Sequence, residues 1–304
     1  MHKTLRLLLI VATASTLCLG CDIQRLAVNQ TAALLTKAMP AFETDPDYEF
    51  VKAAMPGNIK TMEGLYQVAQ DNPDLLFMLA QAYTAYALVF LEDEYESTED
   101  MSEAQEHAQK RARDMYMRGH RFGLKLLTQR HPVMAEAMEK GGKLLDGALE
   151  SCTHLDVKGL FWTAMPLAGA VNLSKEDVEM IAWMPKAKAM MARVLELQPD
   201  YYDAAPHMIF GALYGSMGKM LGGDPDKAKK HFEKALELTK RRFLLVQVMY
   251  AMTAAVQSQD RPLFDKLLKE VLEAELSIYP QQKLANVAAK RRAKRLQARA
   301  DELF

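Results

Sequence analysis

The sequence predicts an all-α protein: tetratricopeptide-like helical hairpins stacked into a single compact superhelix or bundle. Three observations carry that expectation. Half of the 304 residues are hydrophobic, and the good helix formers Ala, Leu, Met, Lys and Glu dominate. β-Branched residues are sparse, and no stretch alternates with period two for long, so strands are not expected. The third observation is the stretch Ala187–Thr239. Ala187, Met191 and Val194 recur at helical spacing, and Pro199 follows. A second helix carries Phe210, Gly211 and Tyr214. After an insertion at Lys219–Gly223 come Ala228, Phe232 and Ala235. Small residues along one face let a neighbouring helix approach, and an aromatic fills the gap above them. Ala-x₃-Phe-x₂-Ala is the tetratricopeptide pattern, although Lys240 stands where a proline is expected.

The chain opens with an export signal. Met1 to Gly20 has a basic start (His2, Lys3, Arg6), an apolar run from Leu7 to Leu19 and a small residue before Cys21. It is too short to span a bilayer comfortably. Gly20-Cys21 resembles a lipobox, with Cys18 where leucine is usual. Cys21 is therefore the expected lipidation site and the first residue of the mature chain, which makes 1–20 a signal peptide and 21–304 one helical domain. Each lipid CH₂ buried in the membrane contributes roughly 0.8 kcal/mol to such an anchor. Acylation of Cys21 leaves Cys152 as the one mature thiol, so no internal disulfide can form. Cys152 is expected to be buried and inert.

Ile23 to Ala38 reads as the first helix, with a break at Phe42–Asp47. Tyr48–Met55 reads as a short helix ended by Pro56-Gly57, and Asn58–Gln70 as the next. Asn72 caps a further helix, with Pro73 at its first position, where a missing N–H costs nothing. From Leu75 to Phe90 that helix is apolar on nearly every side, which puts it at the centre of a bundle. Leu79, Ala82, Tyr83 and Tyr86 have repeat spacing. Leu91–Asp100 is acidic and reads as a solvated loop, because it lacks the ligand spacing of a calcium loop. Met101–Thr128 is one long helix with Ala112, Tyr116 and Gly119 on one face. Pro132 opens Val133–Leu149.

Asp156–Ala170 carries Pro166, which implies a kink of the kind that often borders a cavity. Ser174 with Asp177 reads as a capping box for a helix that Pro185 bends. Phe243–Val256 is apolar almost all round, hence buried. Pro262 opens Leu263–Ala274, and Pro280 precedes Lys283–Ala300. This last helix is strongly basic (Lys290, Arg291, Arg292, Lys294, Arg295, Arg299) but keeps an apolar seam. It reads as a docked capping helix with a solvated face. Export argues against nucleic acid as its partner, leaving anionic lipid or an acidic surface.

No catalytic signature is present. The seven histidines make no His-Glu-x-x-His, no Gly-x-Ser-x-Gly occurs, and no glycine-rich phosphate loop is found. Cys152 and His154 lack the second pair that a zinc set needs. A net charge of −1 names no polyanionic partner. The expectation is a binding protein, not an enzyme, with no cofactor and no metal. Repeat hairpins make concave binding surfaces. Tyr86, Trp162, Trp183 and Tyr214 are the candidate ligand- or partner-binding residues, being apolar bodies with polar tips. The twenty methionines, many between Met101 and Met252, suit core filling and, secondarily, an adaptable ligand surface.

Taken in order, several segments resemble the TRAP transporter T-component (TatT) family of periplasmic lipoproteins. They are the lipobox, Ala54–Glu96, LFWTAMPLAGA (Leu160–Ala170), Val194–Gly215, GGDPDKAKKHFEKALEL (Gly222–Leu238) and the Asn286–Phe304 ending. The resemblance covers essentially the whole mature chain and brings no catalytic motif. It implies a helical, membrane-anchored periplasmic lipoprotein that forms a homotrimer. It also implies binding to the substrate-binding P subunit of a tripartite ATP-independent periplasmic transporter, and a cleft that holds or passes a hydrophobic organic ligand. The alternative is a general tetratricopeptide-type envelope adaptor for a peptide or an assembly factor. One packing consequence is testable at once: Gly211→Leu should cost roughly 1–3 kcal/mol by overpacking a helix seam. An unchanged melting temperature would contradict that packing.

Overall fold

The structure, a computed structural model, describes residues 23–304. Cys21 and the leader at 1–20 lie outside the described residues. Those described are helical throughout, with no strand among them. The first helices are α1 (23–38), α2 (Pro40–Glu43) and α3 (Tyr48–Val68). Then come α4 (Pro73–Ser97), α5 (Glu103–Thr128), α6 (Met134–Lys140), α7 (Gly142–Glu150) and α8 (Val157–Asn172). The second half is α9 (Val178–Ile181), α10 (Met184–Leu197), α11 (Tyr201–Gly215), α12 (Pro225–Leu238) and α13 (Leu245–Ala255). It ends with α14 (Arg261–Glu273), α15 (Lys283–Ala298) and α16 (Ala300–Leu303). Local chemistry starts many of them. Asp47, Asn72, Ser102, Asp177, Asp224 and Asp260 each accept a backbone N–H from their own first turn, which satisfies donors the helix leaves orphaned.

Helix α4 is the axis of the packing. It is long and apolar enough to cross a membrane by composition, but most of it is buried within the fold. It seats against α3 and α5, and α5 in turn packs along α8. Beyond α8 follow α10, α11 and α12, with α13 to α15 closing the far side. Two clusters of core side chains result, and Phe77, Met117, Phe122 and Met180 touch both. Ala112, Tyr116 and Gly119 are buried as their spacing implies. Gly211 faces the ring of Phe232, where an added Cβ would come within 2.9 Å.

Several expected breaks are not breaks. Pro56 does not end a helix, because α3 runs through it. Pro56 and Gly57 are exposed, on the side of the helix away from its buried stripe. The buried stripe Val51, Met55, Ile59, Met62 continues past them. The acidic run is not a solvated loop either. It extends α4 to Ser97 through a π-turn at Ala87–Leu91. That extra residue per turn re-aims the acidic end of the helix.

Elsewhere, expected continuity fails. Val133–Leu149 is split at Gly141, whose φ of 68° and ψ of −158° suit glycine. Ser174 does not cap the next helix; its hydroxyl donates to Ala170 O (2.8 Å), and Asp177 is the cap. Pro185 does not bend a helix but sits at the start of α10. Lys240 and Arg241 are left-handed (φ 51° and 59°) where a proline was expected. Proline is locked near −65° and could not stand there.

The basic helix α15 turns three arginines onto the acidic end of α4, while Lys294 and Arg299 stay exposed. Arg292 pairs with Glu92 (2.8 Å) and Glu96 (2.5 Å) at the end of α4. Arg295 pairs with Asp93 (2.5 Å) and Glu96 (2.9 Å), and Arg291 with Asp93 (3.2 Å). Tyr48 OH donates to Asp93 (2.8 Å) and Tyr116 OH to Glu92 (2.5 Å). Arg292 is 7% exposed. The acidic partner of this helix is the protein's own core helix.

Pro166 lies inside α8, and its missing N–H frees the Trp162 carbonyl. Gly123 of α5 lies directly over that oxygen, where a Cβ would sit at 2.2 Å. Only a bare Cα–H can approach a carbonyl so closely. Gly123→Ala should force α5 off α8 and cost about 3 kcal/mol. Gly64→Ala, on an exposed turn of α3 with nothing within 4 Å, should gain roughly 0.5–1 kcal/mol. Denaturant unfolding of the two variants checks the contrast.

Candidate functional site: a two-chambered apolar cleft

Two cavities adjoin each other beside α4. The first, about 110 Å³, lies between α1–α3, α4 and the start of α15. Leu35, Met39, Phe42, Met55, Ile59, Met62 and Met78 form most of its wall. The second, about 70 Å³, lies between α4, α8, α13 and α15, lined by Leu88, Trp162, Met165, Phe243 and Leu245. Ala85, Val89, Tyr202, Gln282 and Ala285 line both. The cleft is an apolar space with a few convergent polar groups, the ordinary composition of a small-molecule site.

Its position follows from the helices. Gln81, Ala85 and Val89 stand one turn apart on α4, and Val89 belongs to the π-turn. Ala285 and Ala288 on α15 keep that wall short. The ion cluster just beyond them clamps α15 in place; Asp93 and Arg292 are themselves at the edge of the second chamber.

Tyr202 is the partition. Tyr202, Asp203 and Ala204 adopt three consecutive left-handed conformations (φ 45°, 56° and 56°) before α11 becomes regular. For non-glycine residues this costs roughly 1–2 kcal/mol each. Strain of that kind persists where the surroundings over-determine it, and such places are often functional. Tyr202 packs edge-on against Trp162 at 5.0 Å between ring centres.

Glu43, at the end of α2, brings a carboxylate to the first chamber. It accepts from Gln81 Nε2 (3.1 Å). Burial pushes its pKa above the usual carboxylate range, the charge of Asp203 pushes it further, and a hydrogen bond from Tyr202 partly opposes both. Asp203 is raised as well, by burial, although the hydrogen bond from Tyr279, the charge of Arg242 and the hydrogen bond from Gln282 oppose it.

The four expected binding residues do not form one site. Trp162 lines the second chamber and is 2% exposed; its indole N–H is buried with no acceptor among the described residues. Tyr86 is packed into the core beside Phe90. Trp183 is half-buried under Lys186, whose Nζ lies 4.1 Å from its ring centre. Tyr214 stacks with Phe210 and His231 on α11 and α12. The methionines at the cleft are mostly outside the Met101–Met252 stretch, Met165 being the exception. Neither Tyr202 nor Glu43 was among the expected site residues. Pro206 gives no signal for them, because it restricts only Ala205, which is not among the left-handed residues.

His131, Cys152 and Asp156 also come together, with ligand atoms within 4.8 Å of one another. Asp156 is already committed. It accepts from Thr153 N (2.8 Å), Thr153 Oγ1 (3.0 Å) and Arg130 Nε (2.6 Å). Burial alone would raise its pKa, but these bonds and that from His131 hold it down at about 2. Cys152 is buried, and burial, with the charge of Asp156, pushes its thiol up to about 11. The cluster is a capping box that ties α5 to α8 through Arg130.

The raised Glu43 has a pH consequence. A carboxyl raised on folding gives up stability as pH climbs from its unfolded pKa through its folded one, and the penalty stays above that. Glu43→Gln, which keeps the shape, should therefore melt higher than the parent at pH 7–8. The gap should close as pH falls towards 4.5, the ordinary value. Melting curves across that range check it; a constant gap would contradict the assignment.

Known proteins bear on what such a cleft is for. A protein of Treponema pallidum (strain Nichols), described only as uncharacterised, is 24% identical over 319 residues, spanning 100% of this chain and 99% of its own length. The profile of the TRAP transporter T-component family matches residues 44–304. That match takes in α3 to α16 and both chambers apart from the walls given by α1 and α2, and so the chain belongs to the TRAP transporter T-component family.

Proposed function

We propose that this chain is the lipid-anchored periplasmic accessory of a TRAP transporter, tethered through Cys21. It binds the substrate-binding P subunit, assembles as a homotrimer and holds or passes a hydrophobic organic ligand in the two-chambered cleft. The family membership, which associates the chain with such a transporter at the bacterial envelope, is the observation that carries this reading. The apolar walls of the cleft support the ligand part of it. We read α10 to α12 as tetratricopeptide-like hairpins within a superhelix; the fit of Gly211 to Phe232 and the buried Ala187, Ala228 and Ala235 support that. The role we propose is non-enzymatic binding, which the apolar walls of the cleft suit.

The test uses the mature chain carrying Cys21→Ala. Light scattering at micromolar concentration is expected to give a trimer, and pull-down from its own periplasm to recover a solute-binding protein. A strict monomer that recovers none would overturn the proposal.

A further inference from the structure

The buried Asp93 and Asp156, and several half-buried carboxylates, face guanidinium groups. Glu92, Asp93 and Glu96 face the arginines of α15, Asp156 faces Arg130, and Glu270 faces Arg241. Glu43 breaks the pattern. Its carboxylate lines the first chamber, and among the described residues no Lys, Arg or His nitrogen lies within 4.0 Å of it. Its charged neighbour is another carboxylate, Asp203, which accepts from Tyr279 OH and Gln282 and has the charge of Arg242 near it.

Taking an anion out of water without a counter-charge is costly. The charge of Asp203 adds to that cost at Glu43. Asp203 is kept there by the left-handed turn at Tyr202–Ala204, itself strained. Two costs, strain in the turn and the unpaired Glu43, thus meet beside the cleft. A cation arriving from outside would relieve the electrostatic one. It would find the Glu43 carboxylate on the chamber wall, among apolar side chains.

We infer that the first chamber takes an amphiphile with a cationic, hydrogen-bond-donating head of the primary ammonium type. The head sits on Glu43, and the apolar tail lies among Met39, Met55 and Met62. A carboxylate head is disfavoured by the same two acids. This inference deepens the ligand reading above and rests on it. The chamber is smaller than the 150 Å³ cavity known to hold benzene, so short tails suit it.

Hexylammonium, 1-hexanol and hexanoate are the probes, titrated at pH 7.5 into the mature Cys21→Ala chain by calorimetry. Hexylammonium is expected to bind about tenfold more tightly than hexanol, as a charge-assisted hydrogen bond implies, and hexanoate more weakly than either. Glu43→Gln should remove the preference for the amine, so that hexylammonium binds no more tightly than hexanol. Asp203→Asn should remove part of it. Equal binding of amine and alcohol, or a preference that survives Glu43→Gln, overturns the cationic head and leaves the apolar cleft standing. Failure of all three probes to bind overturns the cleft reading together with the inference.

Discussion

The ion cluster between α4 and α15 is the interaction on which the rest depends. It joins Glu92, Asp93 and Glu96 to Arg291, Arg292 and Arg295, roughly two hundred positions further along. Charges so buried stabilise only when every lone pair and proton is used. Here Tyr48 and Tyr116 supply the remaining donors. Charge balance makes the arrangement tolerable, and the shared carboxylate oxygens make it specific. The apolar surface of α15 is slight, with Leu284, Ala289 and Ala293 as its buried apolar residues. The cluster holds this helix to the end of α4, while the buried Asn286, which accepts from Leu244 N (2.9 Å) and donates to Arg242 O (3.0 Å), fixes it to the start of α13.

That placement makes the cleft. A helix drawn in by charge at its far end, but carrying Ala285 and Ala288 where it crosses α4, leaves space at the crossing. The π-turn in α4 has the same dual effect: it turns Val89 to the cleft and the acids to their partners. Opposite, the strained turn at Tyr202 supplies the partition. Stability and function thus compete over a few residues, and the ordinary core on either side absorbs the cost.

Much of the fold was legible because helices announce themselves locally. Asn72-Pro73 and Asp260 with Pro262 start helices where caps and prolines say they should. The Ala187–Thr239 pattern marked a helix pair that does pack. What was illegible depended on distance. The acidic run and the basic helix each looked solvated, since each charge set is unaccompanied in its own neighbourhood. Pro56 looked like a stop because local sterics do not reveal which way it faces. Of the cleft, Trp162 and the Pro166 helix beside a cavity were foreseeable, whereas Glu43 and Tyr202 carry no motif. Tyr86, Trp183 and Tyr214 have the same amphipathic chemistry as Trp162, and burial sent them elsewhere.

The central claim is that buried charge holds the last helix against the core helix. Urea unfolding of Arg292→Met tests it most directly. Removing one partner from a buried ionic network typically costs about 3–5 kcal/mol, and Glu92 and Glu96 would both be left facing a thioether. A loss of that size is the result expected. A variant within about 0.5 kcal/mol of the parent, the range of an ordinary surface change, would contradict the account.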